Sequence, residues 1–151
     1  MTTHVPTDVR VGMDVVTVEE VASSVARFGD RYVRRVYTPH EIECCRRPDD
    51  PSAAPAPYAL ESLAARFAAK EAVIKLLRPV EMQPDWRSIE LHRMAGGWCE
   101  IRLSGRAAEL AVEAGIDGLA VSVSHEADIA AAVVVGWSTQ GWSTERERSE
   151  A

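Results

Sequence analysis

The chain has 151 residues, of which 46% are hydrophobic and 26% are charged, a composition typical of one globular domain with a single core. No apolar run approaches the roughly 20 residues that a membrane-spanning helix needs, and the net charge of −6 argues against a general nucleic-acid binder. The first ten residues lack the apolar core of a signal peptide, so the sequence predicts a cytoplasmic protein. The three cysteines show no metal-binding spacing, which predicts reduced thiols.

The first half of the chain predicts one strand followed by four helices. A buried strand is expected at Val9 to Val16, and helices at Thr17 to Gly29, Arg31 to Val36, Thr38 to Arg47 and Tyr58 to Leu77. Thr17 and Thr38 each precede a glutamate by three residues, the pattern of a capping box. Four prolines between the third and fourth helices predict a loop at Pro48 to Pro57.

The second half predicts two strand pairs separated by a helix. The strands are expected at Ile89 to Arg93, Trp98 to Leu103, Leu119 to His125 and Ile129 to Trp137, with the helix at Gly105 to Ala114. The last strand is apolar enough to be central in its sheet. This order predicts an α+β fold in which a mainly antiparallel sheet packs against the long helix. We expect an N-terminal extension at residues 1–10, one domain at 11–137 and a polar, mobile tail at 138–151.

The long helix carries charges on its predicted apolar side. If Phe67 marks the centre of the buried face, Lys70 and Glu71 border or enter that face. Lys75 follows Glu71 at i+4, and Arg66 precedes Lys70 at i−4. Solvated ion pairs are the simpler interpretation, but a carboxylate beside a core is costly unless a cation or metal meets it. The pattern therefore favours a functional site on this helix.

Two further residues are candidates for the same site. Asp14 interrupts an apolar strand, where a hydrogen-bonded structural aspartate is the alternative. Together with Glu71 it offers the two carboxylates of a typical magnesium site. His125 continues the face of Val121 and Val123, although a structural histidine is the default interpretation. The neighbours Ser124, His125 and Glu126 do not form a hydrolase triad, because successive strand residues point to opposite faces.

A basic segment lies near the end of the first helix. It contains four arginines and one acid, and it favours an acidic partner or a solvated helix surface about equally. The arginines are Arg27, Arg31, Arg34 and Arg35.

Four motifs together resemble the small, single-domain 4'-phosphopantetheinyl transferases of the holo-acyl-carrier-protein synthase family. In chain order they are Val11-Gly12-Met13-Asp14-Val15-Val16, Tyr37-Thr38-Pro39-His40-Glu41, the helix from Arg66 to Lys75 containing Arg-Phe-Ala-Ala-Lys-Glu-Ala, and Val121-Ser122-Val123-Ser124-His125. The helix motif is highly specific, whereas the first and last motifs are weak on their own. The resemblance covers about Val11 to Val135.

The resemblance implies transfer of phosphopantetheine from coenzyme A to a serine of an apo acyl carrier protein, with release of 3',5'-ADP. Asp14 and Glu71 would hold Mg²⁺ as catalytic residues together with Lys75. The side chains of Arg66, Lys70, Lys75 and His125 would contact coenzyme A. The general base stays open between Glu71, a metal-bound water and another carboxylate.

The resemblance also implies partners. The carrier would dock on Arg27, Arg31, Arg34 and Arg35, and family members commonly form homotrimers with the site between subunits. The carrier's pathway stays open between fatty acid, polyketide and peptide synthesis.

One segment departs from the family pattern. The family usually continues after the helix with a glycine-rich loop that embraces coenzyme A, whereas Leu76 to Trp86 contains no glycine. Arg78 is a candidate to replace the lost backbone donors with a side-chain charge. This departure keeps two rival functions open: a non-catalytic module of the same fold that binds carrier proteins, and another Mg²⁺-dependent enzyme acting on a nucleotide diphosphate.

Overall fold

The computed structural model describes residues 8–47 and 57–139, which form five helices and one five-stranded sheet. The strands are β1 (Asp8–Thr17), β2 (Ile89–Arg93), β3 (Cys99–Leu103), β4 (Gly118–Glu126) and β5 (Ile129–Ser138). The helices are α1 (Val18–Phe28), α2 (Asp30–Val36), α3 (Pro39–Cys45), α4 (Leu60–Leu77) and α5 (Gly105–Glu113), with a 3₁₀ turn at Trp86–Ser88 before β2. All predicted helices and strands are present, with ends shifted by a few residues.

Local sequence signals account for the starts of the first and third helices. Thr17 accepts a hydrogen bond from the Glu20 backbone N–H at 3.2 Å, which caps α1. Thr38 and Glu41 form the predicted capping box at the start of α3. Gly29 ends α1 with a φ of 55°, a conformation that glycine adopts without strain. The predicted loop at Pro48 to Pro57 lies outside the described residues except for Pro57.

The sheet is antiparallel, with the strand order β1-β5-β4-β3-β2. β5 pairs with β1 on one side and β4 on the other, so the prediction that this strand is central is confirmed. Helix α4 packs on one face of the sheet, mainly against β1 and β5. The predicted α+β architecture, an antiparallel sheet packed on a long helix, is therefore confirmed.

A glycine allows β1 and α4 to approach each other. A Cβ atom built on Gly12 would lie 1.9 Å from the Ala72 carbonyl oxygen, so no other residue fits without displacing the backbone. Asp14 follows two residues later on the same face of β1. The close approach therefore brings Asp14 to the surface of α4.

The other face of β1 is not covered by any part of the chain that the structure describes, which corrects the prediction of a buried strand. Its apolar side chains are more than half exposed: Val9 57%, Val11 60%, Met13 53% and Val15 53%. β1 is an edge strand, and α4 covers only the face that carries Gly12 and Val16. The sequence pattern of alternating apolar residues does not reveal that only one face has a partner among residues 8–47 and 57–139.

The ends of the predicted domain differ slightly from those of the described elements. β1 begins at Asp8, within the predicted extension, and β5 ends at Ser138, the first residue of the predicted tail. Ser138 is buried. The rest of the tail, from residue 140 onward, lies outside the described residues. In the described part of the chain, no helix has the length and apolarity to cross a membrane.

Candidate active site

Asp14 and Lys75 form the centre of the site. The Lys75 Nζ donates to Asp14 Oδ1 at 2.8 Å and to the Met13 carbonyl oxygen at 3.0 Å, which ties the end of α4 to β1. The Asp14 side chain is 16% exposed, whereas that of Lys75 is 53% exposed. The hydrogen bond from Lys75 to Asp14 raises the pKa of Lys75, which therefore stays protonated. The sequence prediction placed both residues in one site, and the structure brings them into contact.

Glu71 lies one helical turn before Lys75 and completes a cluster of three charged groups. Burial raises the pKa of the Glu71 carboxyl, the nearby Asp14 carboxylate raises it further, and Lys75 opposes the shift. No described residue donates a hydrogen bond to the Glu71 carboxylate. Of these two neighbouring carboxylates only Asp14 contacts the Lys75 ammonium group, so the pair has unused capacity for a cation.

The carboxylate pair fits a magnesium ion better than a zinc ion. Across residues 8–47 and 57–139, no group of three or more His, Cys, Asp or Glu side chains is arranged to hold a metal ion. Mg²⁺ commonly uses one or two protein carboxylates and takes its other ligands from water and substrate phosphates. Asp14 and Glu71 supply this number of protein oxygen ligands, so the residues present fit the ion when a phosphate substrate is bound.

Phe67, Glu71 and Lys75 lie along the open side of α4. The expectation that Phe67 marks the centre of the buried face is therefore wrong. The Phe67 and Glu71 side chains are partly buried and that of Lys75 is exposed, whereas most other α4 residues after Ser62 are buried. Phe67 packs against Trp86, with ring centroids 5.3 Å apart. Because other elements cover most of the remaining sides of α4, this line is where a ligand can contact the helix.

Lys70 is part of the core, not of this open side. Its side chain is 0% exposed, and its Nζ forms an ion pair with Glu41 Oε2 at 2.7 Å. The Nζ also donates to the carbonyl oxygens of Trp86 and Ile89, so all three of its donors have partners. Burial lowers the pKa of Lys70 and the Glu41 carboxylate opposes this shift. The structure therefore does not bring Lys70 to the Asp14 cluster as the sequence prediction expected.

Glu41 is a structural residue, and the sequence did not predict its contacts with Lys70 and Leu91. Its carboxylate accepts hydrogen bonds from the backbone N–H groups of Thr38 and Leu91, both at 3.0 Å, in addition to the ion pair with Lys70. It joins α3, α4 and β2. The capping-box pattern identified the contact with Thr38, but the other partners are too distant in sequence to follow from residue spacing.

Arg66 lies on another side of α4. It is five residues before Glu71, which places the two side chains about 140° apart around the helix. Arg66 is 8% exposed, and its Nη1 donates to the Ser62 carbonyl oxygen at 3.3 Å. Its Nε is buried without a hydrogen-bond partner among the described residues. The structure does not bring Arg66 into contact with the Asp14 cluster.

His125 is also separate from the cluster within one chain. Asp14 pairs with Ala132, which in turn pairs with Val123 on β4. His125 is two residues further along β4, so its Cα lies about 12 Å from that of Asp14. The residue is exposed at the end of the strand. A contact between His125 and a ligand on Asp14 and Glu71 would therefore need a long ligand or a second subunit.

The four arginines predicted for docking form an exposed basic surface at the end of α1 and on α2. They are Arg27, Arg31, Arg34 and Arg35. Arg27 lies over the ring of Phe28, with its guanidinium carbon 5.0 Å from the centroid, and Phe28 is itself 52% exposed. The surface therefore combines positive charge with an apolar ring.

Comparison with known proteins identifies the family. The family model of the 4'-phosphopantetheinyl transferase superfamily matches residues 10–134, which include Asp14, Glu71, Lys75 and His125. The chain belongs to this superfamily. The family predicted from the sequence motifs is therefore confirmed, and with it the predicted enzyme class.

Proteins named holo-[acyl-carrier-protein] synthase are among those similar to this chain in sequence and in structure. The holo-[acyl-carrier-protein] synthase of Desulforudis audaxviator is 41% identical over 128 residues, which are 83% of this chain and 92% of that protein. The Chronobacterium ammoniagenes ACPS–CoA complex matches with a TM-score of 0.69 and 29% identity, covering 85% of this chain and 96% of the other. The Helicobacter pylori holo-[acyl-carrier-protein] synthase in complex with coenzyme A matches with a TM-score of 0.67 and 28% identity, covering 83% of this chain and 98% of the other.

Glu20 is a further charged neighbour of the cluster. Its carboxylate on α1 contributes to the raised pKa of Glu71. The sequence analysis considered Glu20 only as part of a helix cap. Its position increases the negative charge that surrounds Glu71, and this charge favours a cation at the site.

Proposed function

We propose that this chain transfers 4'-phosphopantetheine from coenzyme A to a serine hydroxyl of an apo acyl carrier protein. The serine hydroxyl loses its proton to a base, for which Glu71 is one candidate, and its oxygen forms a bond to the β-phosphorus of coenzyme A. The bond from this phosphorus to the bridging oxygen breaks, and 3',5'-ADP leaves with the electron pair. The observation that carries the proposal is the cluster of Asp14, Glu71 and Lys75 on the open side of α4. Relatives named holo-[acyl-carrier-protein] synthase and neighbours in complex with coenzyme A support the substrate assignment.

Asp14 and Glu71 are the proposed Mg²⁺ ligands. When bound, the ion neutralises charge on the diphosphate and orients it for in-line attack. Lys75 keeps Asp14 in place through the 2.8 Å ion pair, and it has enough exposure to donate to a phosphate oxygen. Lys70 is assigned a positioning role in this proposal, because its ion pair with Glu41 holds α4 against α3 and β2.

A homotrimer is proposed as the active assembly. The uncovered face of β1, with four apolar side chains each more than half exposed, is a surface that association would bury. A neighbouring subunit also provides a way for His125 to reach the coenzyme A bound at Asp14 and Glu71. Arg66 is not given a role at the diphosphate, because it is buried on another side of α4. The proposed domain spans residues 11–137, and the proposed location is the cytoplasm.

The basic surface at Arg27, Arg31, Arg34 and Arg35 is the proposed docking site for the carrier protein. Four exposed guanidinium groups, of which that of Arg27 lies over the ring of Phe28, suit an acidic helix that also carries apolar side chains. The carrier would then present its serine to the open side of α4.

The proposal is tested by incubating an apo acyl carrier protein with this protein, coenzyme A and Mg²⁺, and by measuring 3',5'-ADP. We expect release that requires the carrier and stops with EDTA. Release of a nucleotide without any carrier would instead favour a Mg²⁺-dependent enzyme acting on nucleotide diphosphates. Carrier binding without release, for every carrier tried, would favour a non-catalytic docking module.

A further inference from the structure

The C-terminal end of α4 has a backbone conformation that its residue type disfavours. Arg78 is the C-cap, with φ 52° and ψ 57° in the left-handed region. Glycine adopts this conformation freely, whereas a residue with a Cβ is strained by about 1 kcal/mol or more. The last intrahelical contact is retained, because the Arg78 N–H donates to the Ile74 carbonyl oxygen at 3.0 Å. Local backbone geometry therefore does not explain why an arginine occupies this position.

The position of Arg78 relates it to the active-site cluster. It directly follows the last residue of α4, three positions after Lys75 and seven after Glu71, so its Cα lies near the end of the open side of the helix. Arg78 is exposed, and its guanidinium has no ion-pair or hydrogen-bond partner among residues 8–47 and 57–139. A long, unpaired cation thus extends the open side of α4 beyond Lys75.

The charge balance at the site favours a further cation when the substrate diphosphate binds. The carboxylates of Asp14, Glu71 and Glu20 together offset the charges of one Mg²⁺ and of Lys75, which leaves the two negative charges of a bound diphosphate without a counter-charge. Arg78 is the next cation along the same side of α4. Its planar guanidinium donates two parallel hydrogen bonds, the geometry that phosphate oxygens accept.

We propose that Arg78 is a substrate-binding residue that contacts the diphosphate of coenzyme A. This inference rests on the proposed function, because it assigns a residue to the same site. The strain at the C-cap is retained because the arginine supplies a phosphate contact that a glycine side chain lacks.

Calorimetric titration of coenzyme A into the wild-type protein and three variants tests this proposal. Arg78→Ala should weaken binding about tenfold in the presence of Mg²⁺, the scale of a lost charge-assisted hydrogen bond. Arg78→Lys should retain binding within about threefold, because it keeps the charge. Arg78→Gly should weaken binding as much as Arg78→Ala, with a Tm no lower than that of the wild type, since glycine relieves the strained φ.

The matched control is Arg93→Ala, which removes an exposed arginine from the far end of the sheet in β2 and should leave binding unchanged. Equal binding by the wild type, Arg78→Ala and Arg78→Gly would overturn the role of Arg78 and leave the proposed function intact. Absence of coenzyme A binding by the wild type would instead overturn the proposed function. Titration with dephospho-coenzyme A should show the same loss for Arg78→Ala. A loss confined to coenzyme A would overturn the diphosphate contact in favour of the 3'-phosphate.

Discussion

Replacement of Lys70 by methionine tests whether this lysine stabilises the core or binds substrate. Methionine keeps most of the apolar length of lysine, but it removes the ammonium group that pairs with Glu41 at 2.7 Å. The Glu41 carboxylate is then buried without its counter-charge, and the carbonyl oxygens of Trp86 and Ile89 lose a donor. The change therefore acts inside the core, away from the open side of α4.

The expected cost is large. Breaking one partner from a fully buried ion pair typically destabilises a protein by about 3–5 kcal/mol. In a chain of this size each kcal/mol lowers the Tm by roughly 2–4 °C, so Lys70→Met should lower the Tm by about 6–20 °C. The double variant Lys70→Met with Glu41→Gln should recover part of this loss, because it leaves no unpaired charge in the core.

The assay combines thermal and chemical denaturation with coenzyme A titration below the unfolding transition. Lys70→Met should lose stability and bind coenzyme A with unchanged affinity while folded. The matched control is Lys75→Met on the same helix: its side chain is 53% exposed, so its stability should change by less than about 1 kcal/mol while transfer is lost. A stable Lys70→Met variant that no longer binds coenzyme A would refute the reasoning and restore Lys70 to the phosphate site.

Three further predictions concern the close approach of β1 to α4, the uncovered apolar face of β1 and the basic surface on α1 and α2. Gly12→Ala places a Cβ 1.9 Å from the Ala72 carbonyl oxygen, so denaturation should show a loss of about 1–3 kcal/mol and transfer should fall; unchanged values would contradict this role of Gly12. Met13→Glu puts a charge on the apolar face of β1 and should reduce the oligomer to monomers in sedimentation experiments, whereas an unchanged assembly would exclude this face from the interface. Arg34→Glu should raise the KM for the carrier about tenfold at low salt with little change in kcat, and an effect on kcat alone would contradict docking.

The order of helices and strands was predictable because it depends on local signals. Thr17, Gly29 and Thr38 mark helix ends through contacts with residues no more than four positions away. The long helix motif, with Glu71 and Lys75 at i and i+4, also placed two members of the cluster on one side of α4. Asp14 was found as a carboxylate in an apolar strand, and the register of β1 brings it to Lys75.

Two features were not predictable because they depend on what packs around an element. A helical wheel assumes one buried face, but α4 contacts β1 and β5 together with α1, α3 and β2. Phe67 was therefore assigned to the wrong side, and Lys70 was interpreted as a ligand-binding residue although Glu41 pairs with it in the core. The uncovered face of β1 likewise arises because α4 packs on one face of the sheet, and the pattern of a single strand does not show which face the helix covers.

The most direct test of the central claim is the intact mass of an apo acyl carrier protein after incubation with coenzyme A, Mg²⁺ and either the wild type or Glu71→Gln. The amide keeps the shape of the side chain and removes the charge that would hold the ion. The account predicts a gain of one phosphopantetheine with the wild type, no gain with Glu71→Gln, and carrier binding by both proteins. An equal gain with Glu71→Gln, or none with the wild type across several carriers, would contradict the assignment of Asp14, Glu71 and Lys75 as the transferase site.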